Sequence, residues 1–206
     1  MDTRSRAQWI VAVLFGVGAM SFPVFANEVY TYSGDFNLQI PAEPDTSKGW
    51  MADAVIEIDQ HVTILDLDVG ITLTHSSVFD LQISLQSPDG TTVLLNKYDF
   101  SEFFEGEDYS QTIFDDEAQT PISQAQPPFT GRFRPNSSDS LELFDGQDAY
   151  GPWHLQIYDA YHYDTGTFEN FELTITTVPE PATVVLLVLG TGLAALLRPR
   201  RNPKNI

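Results

Sequence analysis

The stretch Asp80-Leu81-Gln82-Ile83-Ser84-Leu85-Gln86-Ser87-Pro88-Asp89-Gly90-Thr91-Thr92-Val93-Leu94-Leu95 decides the fold class. Its first half alternates strictly, with Leu81, Ile83 and Leu85 set against Gln82, Ser84 and Gln86. Successive side chains of a strand point to opposite faces, so this is a strand with one dry and one wet face. Ser87-Pro88-Asp89-Gly90 then supplies a turn, in which Pro presets φ at the first central position and Asp-Gly tolerates the positive φ that follows. The run from Thr91 to Leu95 closes the hairpin.

The same period recurs on both sides of that hairpin. Leu65, Leu67, Val69, Ile71 and Leu73 alternate ahead of His75. Trp153, Leu155 and Ile157 alternate again, and Asp164-Thr165-Gly166 turns into a run from Thr167 to Thr177. No part of residues 27–178 carries a helical period, and no internal repeat is present. Short strands separated by Gly, Pro and Asp loops predict one all-β sandwich. Its longest irregular connections are the acid-rich Asp99 to Asp108 and the proline-containing Pro121 to Pro135, and loops are where binding residues concentrate.

Composition narrows the function classes. A 206-residue chain with 42% hydrophobic and 12% aromatic residues can build a packed core. The lack of cysteine excludes a disulfide scaffold, a thiolate nucleophile and Cys-ligated metal. A formal net charge of -19 argues against nucleic acid as a partner, because phosphate backbones are held by Lys and Arg. The charge is uneven, since Arg4, Arg6, Arg198, Arg200, Arg201 and Lys204 all sit at the ends. Residues 27–178 keep only Lys48, Lys97, Arg132 and Arg134 against 27 acidic residues, a net of −23.

The basic ends read as addresses. Arg4 and Arg6 precede an apolar run from Trp9 to Met20, then Pro23 and the small-residue site Val24-Phe25-Ala26. These are the parts of a secretory signal peptide over residues 1–26, cut by signal peptidase between Ala26 and Asn27. An uncleaved anchor helix is the alternative, though the run is shorter than the ~20 residues of a spanning helix. At the other end Pro179-Glu180-Pro181 is followed by residues 182–197 without a charge, then Arg198-Pro199-Arg200-Arg201. Sixteen helical residues span ~24 Å, slightly short of the ~30 Å hydrocarbon core, and flanking residues could make up the gap. The cations after it predict a cytoplasmic end and an external body.

Pro179-Glu180-Pro181, an apolar helix and an arginine cluster over residues 179–206 resemble the PEP-CTERM sorting signal. That resemblance implies recognition by an exosortase, a membrane transpeptidase of Gram-negative bacteria that make extracellular polysaccharide. A plain tail anchor is the rival reading. The body has a resemblance of its own. Asp80-Leu81-x-Ile83-x-Leu85-x-Ser87-Pro88-x-Gly90-Thr91 is similar to a hallmark of the P domain (P/Homo B domain) of proprotein convertases and bacterial subtilisin-like proteases. Phe114-Asp115-Asp116-Glu117-Ala118 and Pro128-Phe129-Thr130-Gly131-x-Phe133-Arg134-Pro135 match its middle. Leu143-Phe144-x-Gly146-Gln147, Gly151-x-Trp153-x-Leu155 and Asp164-Thr165-Gly166-Thr167-Phe168 match its last third. The resemblance runs from about Val55 to Ile175 and implies a jelly-roll-like sandwich of about eight strands. One departure is Phe79, where the family usually has a glycine.

In that family the P domain normally follows, and stabilises, a subtilisin-like catalytic domain. Fewer than 30 residues lie between Ala26 and Val55, too few for such a domain, and no G-x-S-x-G occurs. The expectation is therefore a chain without peptidase activity of its own. His61, His75, His154 and His162 show no metal-ligand spacing and read as strand-surface or hydrogen-bonded histidines. Paired acids raise two further readings: facing carboxylates of a glycosidase, or calcium held by Asp80, Asp115, Asp116, Asp159 and Asp164. Asp159 and Asp164 flank Ala160-Tyr161-His162-Tyr163, a loop able to close around an ion. Tyr150, Tyr158, Tyr161 and Tyr163 are candidate binding aromatics for sugar rings or a protein surface, with core packing as the alternative. Together these readings give an exported, non-catalytic sandwich serving adhesion or the extracellular matrix, meeting exopolysaccharide or another surface protein. Its rivals are an accessory of a separate subtilisin-like serine endopeptidase and a carbohydrate-binding sandwich.

Overall fold

The computed structural model describes residues 27–43, 48–98, 106–136, 140–161 and 163–177. The signal segment through Ala26, the aromatic–acid loop around Phe100, Phe103 and Phe104, His162, and the tail with Pro179, Glu180, Pro181 and residues 182–197 lie outside them. Among the described residues there are ten strands and only short 3₁₀ turns. In chain order the strands are β1 (Val29–Ile40), β2 (Gly49–Trp50), β3 (Ala54–Ile58), β4 (Ile64–His75), β5 (Leu81–Gln86), β6 (Thr92–Asn96), β7 (Tyr109–Phe114), β8 (Phe129–Phe133), β9 (Gly151–Asp159) and β10 (Gly166–Thr177).

They form two sheets. One has the order β1-β10-β4-β7-β8. The other has the order β2-β9-β5-β6, with β3 also pairing β9. All pairings are antiparallel except β7 with β8. The expected sandwich is present, with more strands than the expected eight. β1 precedes the segment that carried the resemblance, and β2 and β3 divide one sheet edge at Met51-Ala52-Asp53.

The alternation read from the sequence is the alternation of burial. Leu81, Ile83 and Leu85 of β5, Leu67, Val69, Ile71 and Leu73 of β4, and Trp153, Leu155 and Ile157 of β9 all point into the core. Leu65 is the exception. It is 41% exposed while Ile64 is buried, because a bulge against β10 opposite Leu65 shifts the register there. A bulge inserts one residue and reverses the facing of everything before it. The β5–β6 hairpin closes as its sequence requires, with Gly90 N–H donating to the Ser87 carbonyl at 2.9 Å and Gly90 at φ +84°. Two large polar side chains of the core are paired. Trp153 Nε1 donates to the Ala149 carbonyl at 2.9 Å, and Asn96 Nδ2 donates to the Tyr109 hydroxyl at 2.7 Å.

Inward parity does not stop at the apolar residues. His75 continues the series 67, 69, 71, 73 on β4, and Asp159 continues 153, 155, 157 on β9. Both polar side chains are thereby carried into the space between the sheets at one end of the sandwich.

Candidate functional site

At that end three of the five expected aspartates converge. Asp159 is fully buried and Asp80, in the short turn before β5, nearly so. Asp164 follows in the connection to β10, where it accepts from Ser76 Oγ at 2.8 Å. Asp159 Oδ1 accepts from the Tyr161 N–H at 3.1 Å, which closes the start of the tyrosine loop. His75 is tied on two sides. Its N–H donates to Asp108 Oδ1 at 3.0 Å, and its Nδ1 lies 2.7 Å from the Ser77 carbonyl. The Ser77 N–H approaches the same nitrogen at 3.2 Å, so the Ser77 backbone holds the ring from both its groups. Nε2 then faces Asp159 Oδ2 at 3.5 Å, both side chains wholly inaccessible. Among the described residues neither of these two atoms has a hydrogen-bond partner. The contact joins β4 of one sheet to β9 of the other, and it is attractive only with a proton between the two atoms. Burial, then repulsion from Asp164 and Asp159, holds the Asp80 carboxyl above the usual range, with the Ser77 hydrogen bond pulling the other way.

Asp115 and Asp116 are not part of this cluster. They follow β7 beside Asp68, and Asp68 and His75 stand seven positions apart on β4, about 23 Å. Asp115 is committed to Arg132, whose Nη1 donates to its Oδ2 at 2.5 Å while Nη2 donates to Asp68 at 2.8 Å. Burial opposes ionisation of Asp115, but Arg132 and the Glu117 N–H outweigh it and hold the carboxyl below its ordinary value. Asp116 Oδ2 accepts from Ser140 Oγ and from the Glu142 N–H. The five aspartates expected as one calcium donor set are thus two groups at different places. In the second, the carboxylate oxygens already serve protein donors. Among the described residues no three His, Cys, Asp or Glu are grouped so as to hold a metal ion.

The tyrosines divide as well. Tyr150 and Tyr158 stand at opposite ends of β9, about 26 Å apart along the strand. Proximity in sequence is not proximity in space when the intervening residues are extended. Tyr150 is half-exposed and stacks on His61 with centroids 4.1 Å apart, and His61 Nδ1 lies 2.6 Å from Asp148 Oδ2. That bond holds the Asp148 carboxyl below its usual range. Tyr161 and the strongly exposed Tyr163 stay at the other end, in the loop after β9. Tyr158 is half-buried, and its ring lies against Trp50 with centroids 5.0 Å apart at 50°.

Trp50 is the residue that sequence reading missed. It is 52% exposed, on a two-residue strand too short to show any period. It belongs to a grid on the outer face of the second sheet, fixed by strand register. Trp50, Tyr158 and Gln82 form one row, Gln156, Ser84 and Leu94 the next, and Val55, His154, Gln86 and Thr92 the third. Asp53 Oδ2 accepts from Gln156 Nε2 at 3.1 Å and lies 3.2 Å from His154 Nδ1, which holds two of these side chains in place.

Comparison with known proteins places this geometry. No curated protein matches the chain. Among solved structures, the serine protease of Aeromonas sobria is 18% identical, with a TM-score of 0.44, over 78% of this chain and 28% of that one. The same protease in complex with its chaperone gives 18% identity and a TM-score of 0.44 over 74% of this chain. A structure of infectious bursal disease virus Gt strain gives 15% identity and a TM-score of 0.22 over 90% of this chain and 53% of that one. The chain therefore spans little more than a quarter of the length of the protease it resembles. Residues 177–201 match the PEP-CTERM protein-sorting motif. That motif marks a protein for export to the envelope or extracellular space of a Gram-negative bacterium, with processing by an exosortase. Residues 64–175, more than half of the sequence and most of both sheets, match the proprotein convertase P-domain, and the chain belongs to that family.

Proposed function

We propose that this chain is a non-catalytic P-domain exported as an adhesion or matrix module, delivered to the cell surface through its C-terminal sorting signal. The observation that carries the reading is the union of two matches in one chain, a P-domain over residues 64–175 and a sorting motif over 177–201. In proteases the P-domain is an accessory domain that does no chemistry itself. The described body is consistent with that role. Its buried His75–Asp159 pair is sealed from solvent, and its Asp115 is neutralised by Arg132 rather than poised opposite a second free carboxylate. A second reading, an accessory of a separate subtilisin-like serine endopeptidase, rests on the family alone and calls for co-purification of such an enzyme.

The test is fractionation of a Gram-negative host producing the wild-type chain and its Glu180→Ala variant. Wild type is expected in the outer envelope or the medium, and the variant in the inner membrane unprocessed. Equal distribution of the two would remove the sorting step from the reading.

A further inference from the structure

The two outer faces of the sandwich differ in chemistry. The face of the β1-β10-β4-β7-β8 sheet carries Asp66, Asp68 and Glu172 around Arg132. The face of the other sheet carries, in register, the Trp50–Tyr158–Gln82 row and the amide, hydroxyl and imidazole groups of Gln156, His154, Gln86 and Thr92, while Ser84 between them is buried. No Lys or Arg lies on β2, β3, β5, β6 or β9, though Lys48 precedes β2 and Lys97 follows β6; Asp53 and Glu57 sit along one edge, and Glu43 borders the cleft beside Trp50.

We propose that this second face binds a neutral polysaccharide chain, with Trp50 as the stacking anchor and Gln82, Gln156 and His154 as hydrogen-bonding partners along it. The proposal rests on the reading of an exported interaction module and names its ligand class. Four features select the occupant. A net of −23 on residues 27–178 repels a polyanion, and the strands of this face carry no Lys or Arg to pair with one. Amides and hydroxyls both donate and accept, which suits a ligand made of hydroxyl groups. An indole half-exposed at an edge and braced by a neighbouring tyrosine gives an apolar plane for one ring at little entropic cost. The cleft beside Trp50, bordered by Pro41, Ala42, Glu43 and Gly49, measures about 240 Å³. That is below the ~300 Å³ of sites that enclose a small molecule, so it takes one unit of a chain whose remainder lies along the flat sheet.

The full-length protein is run in native gels containing barley β-glucan, galactomannan or alginate, alongside Trp50→Ala and Gln156→Ala. Far-ultraviolet circular dichroism shows that each variant is folded. Retardation is expected in a neutral gel, lost roughly tenfold or more in apparent affinity with Trp50→Ala, as for a central aromatic anchor, and several-fold with Gln156→Ala. Tryptophan emission should shift on binding in wild type and Trp153→Phe, but not in Trp50→Ala. No retardation in either neutral gel, retardation by alginate alone, or equal retardation of Trp50→Ala would each overturn the proposal. So would a dimer in light scattering that Trp50→Ala dissolves, since a second copy would then own the face. Correct export with no glycan binding sinks this inference and leaves the module reading standing, whereas failed sorting with intact binding does the reverse.

Discussion

Replacing His75 by Ala probes the join between the two sheets. The imidazole is wholly buried and faces Asp159 Oδ2 at 3.5 Å, while its Nδ1 lies 2.7 Å from the Ser77 carbonyl oxygen and 3.2 Å from the Ser77 nitrogen. Removing it leaves Asp159 Oδ2 in a dry interior with Asp80 nearby and no group facing it. Breaking a buried pair from one side costs about 3–5 kcal/mol. For a chain of this length each kcal/mol moves the melting temperature by roughly 2–4 °C, so a fall on the order of 10 °C is expected. Asp159→Asn should behave differently. Its Oδ1 can keep the Tyr161 N–H while its amide donates to Nε2, and the net cost should stay within about 1 kcal/mol. The double variant should then regain part of what His75→Ala loses, because the stranded charge has gone. Urea unfolding followed by circular dichroism measures all three. A loss below about 1 kcal/mol for His75→Ala, or strictly additive losses in the double variant, would refute the coupling.

Gly166 pairs with His75 across β10 and β4, and a Cβ there would stand 2.1 Å from the Thr74 carbonyl oxygen and 2.6 Å from His75 Cδ2. Gly166→Ala should cost more than about 3 kcal/mol in the same unfolding assay, since backbone must move to admit it. Asp80 has a raised folded pKa, so its contribution to stability is full below its unfolded value of ~3.9 and is lost as pH rises through the raised value. Asp80→Asn should therefore melt higher than wild type at pH 7, with the gap closing toward pH 4, and a variant less stable at pH 7 would contradict this. With Asp115 and Asp116 committed to protein donors, calcium and magnesium at equal ionic strength should shift the melting temperature alike. A calcium-specific rise of several degrees, lost in the Asp159→Asn, Asp164→Asn double variant, would instead establish calcium at the Asp80, Asp159 and Asp164 end.

What the sequence discloses depends on whether a residue's neighbours are set by period or by long-range pairing. The strands, the hairpin and the burial of the core follow from period two, and so does the burial of His75 and Asp159, each of which extends an apolar series by one more inward step. Leu65 breaks that rule because a bulge is a property of two paired strands and leaves no mark on one. The grouping of aspartates was less legible. Asp159 and Asp164 are close in the chain and stay close. Asp115 finds Arg132 through the parallel pairing of β7 with β8, which nothing local encodes. Tyr150 and Tyr158 are eight positions apart in the chain, and an extended strand turns those eight into the length of the sheet. Trp50 had no period to announce it.

Charge distribution connects the fold to its setting. In the first sheet Arg132 binds Asp68 and Asp115 together, and burial holds Asp68 above the normal carboxylate range despite that cation, with Asp115 and Asp66 adding to the effect. Asp145 is pushed up as well, by burial first and then by Asp66, Glu142 and Asp116. Such crowding destabilises the compact state at neutral pH, yet it keeps a protein soluble and apart from its copies. In the sheet carrying Trp50 the crowding of Asp80, Asp159 and Asp164 is confined to one end, and Asp80 and Asp159 are buried. An acidic body with one face of amide, hydroxyl and aromatic groups, its acids kept to the edge, can stay dispersed outside the cell and still offer a surface that a neutral polymer can approach without an electrostatic penalty.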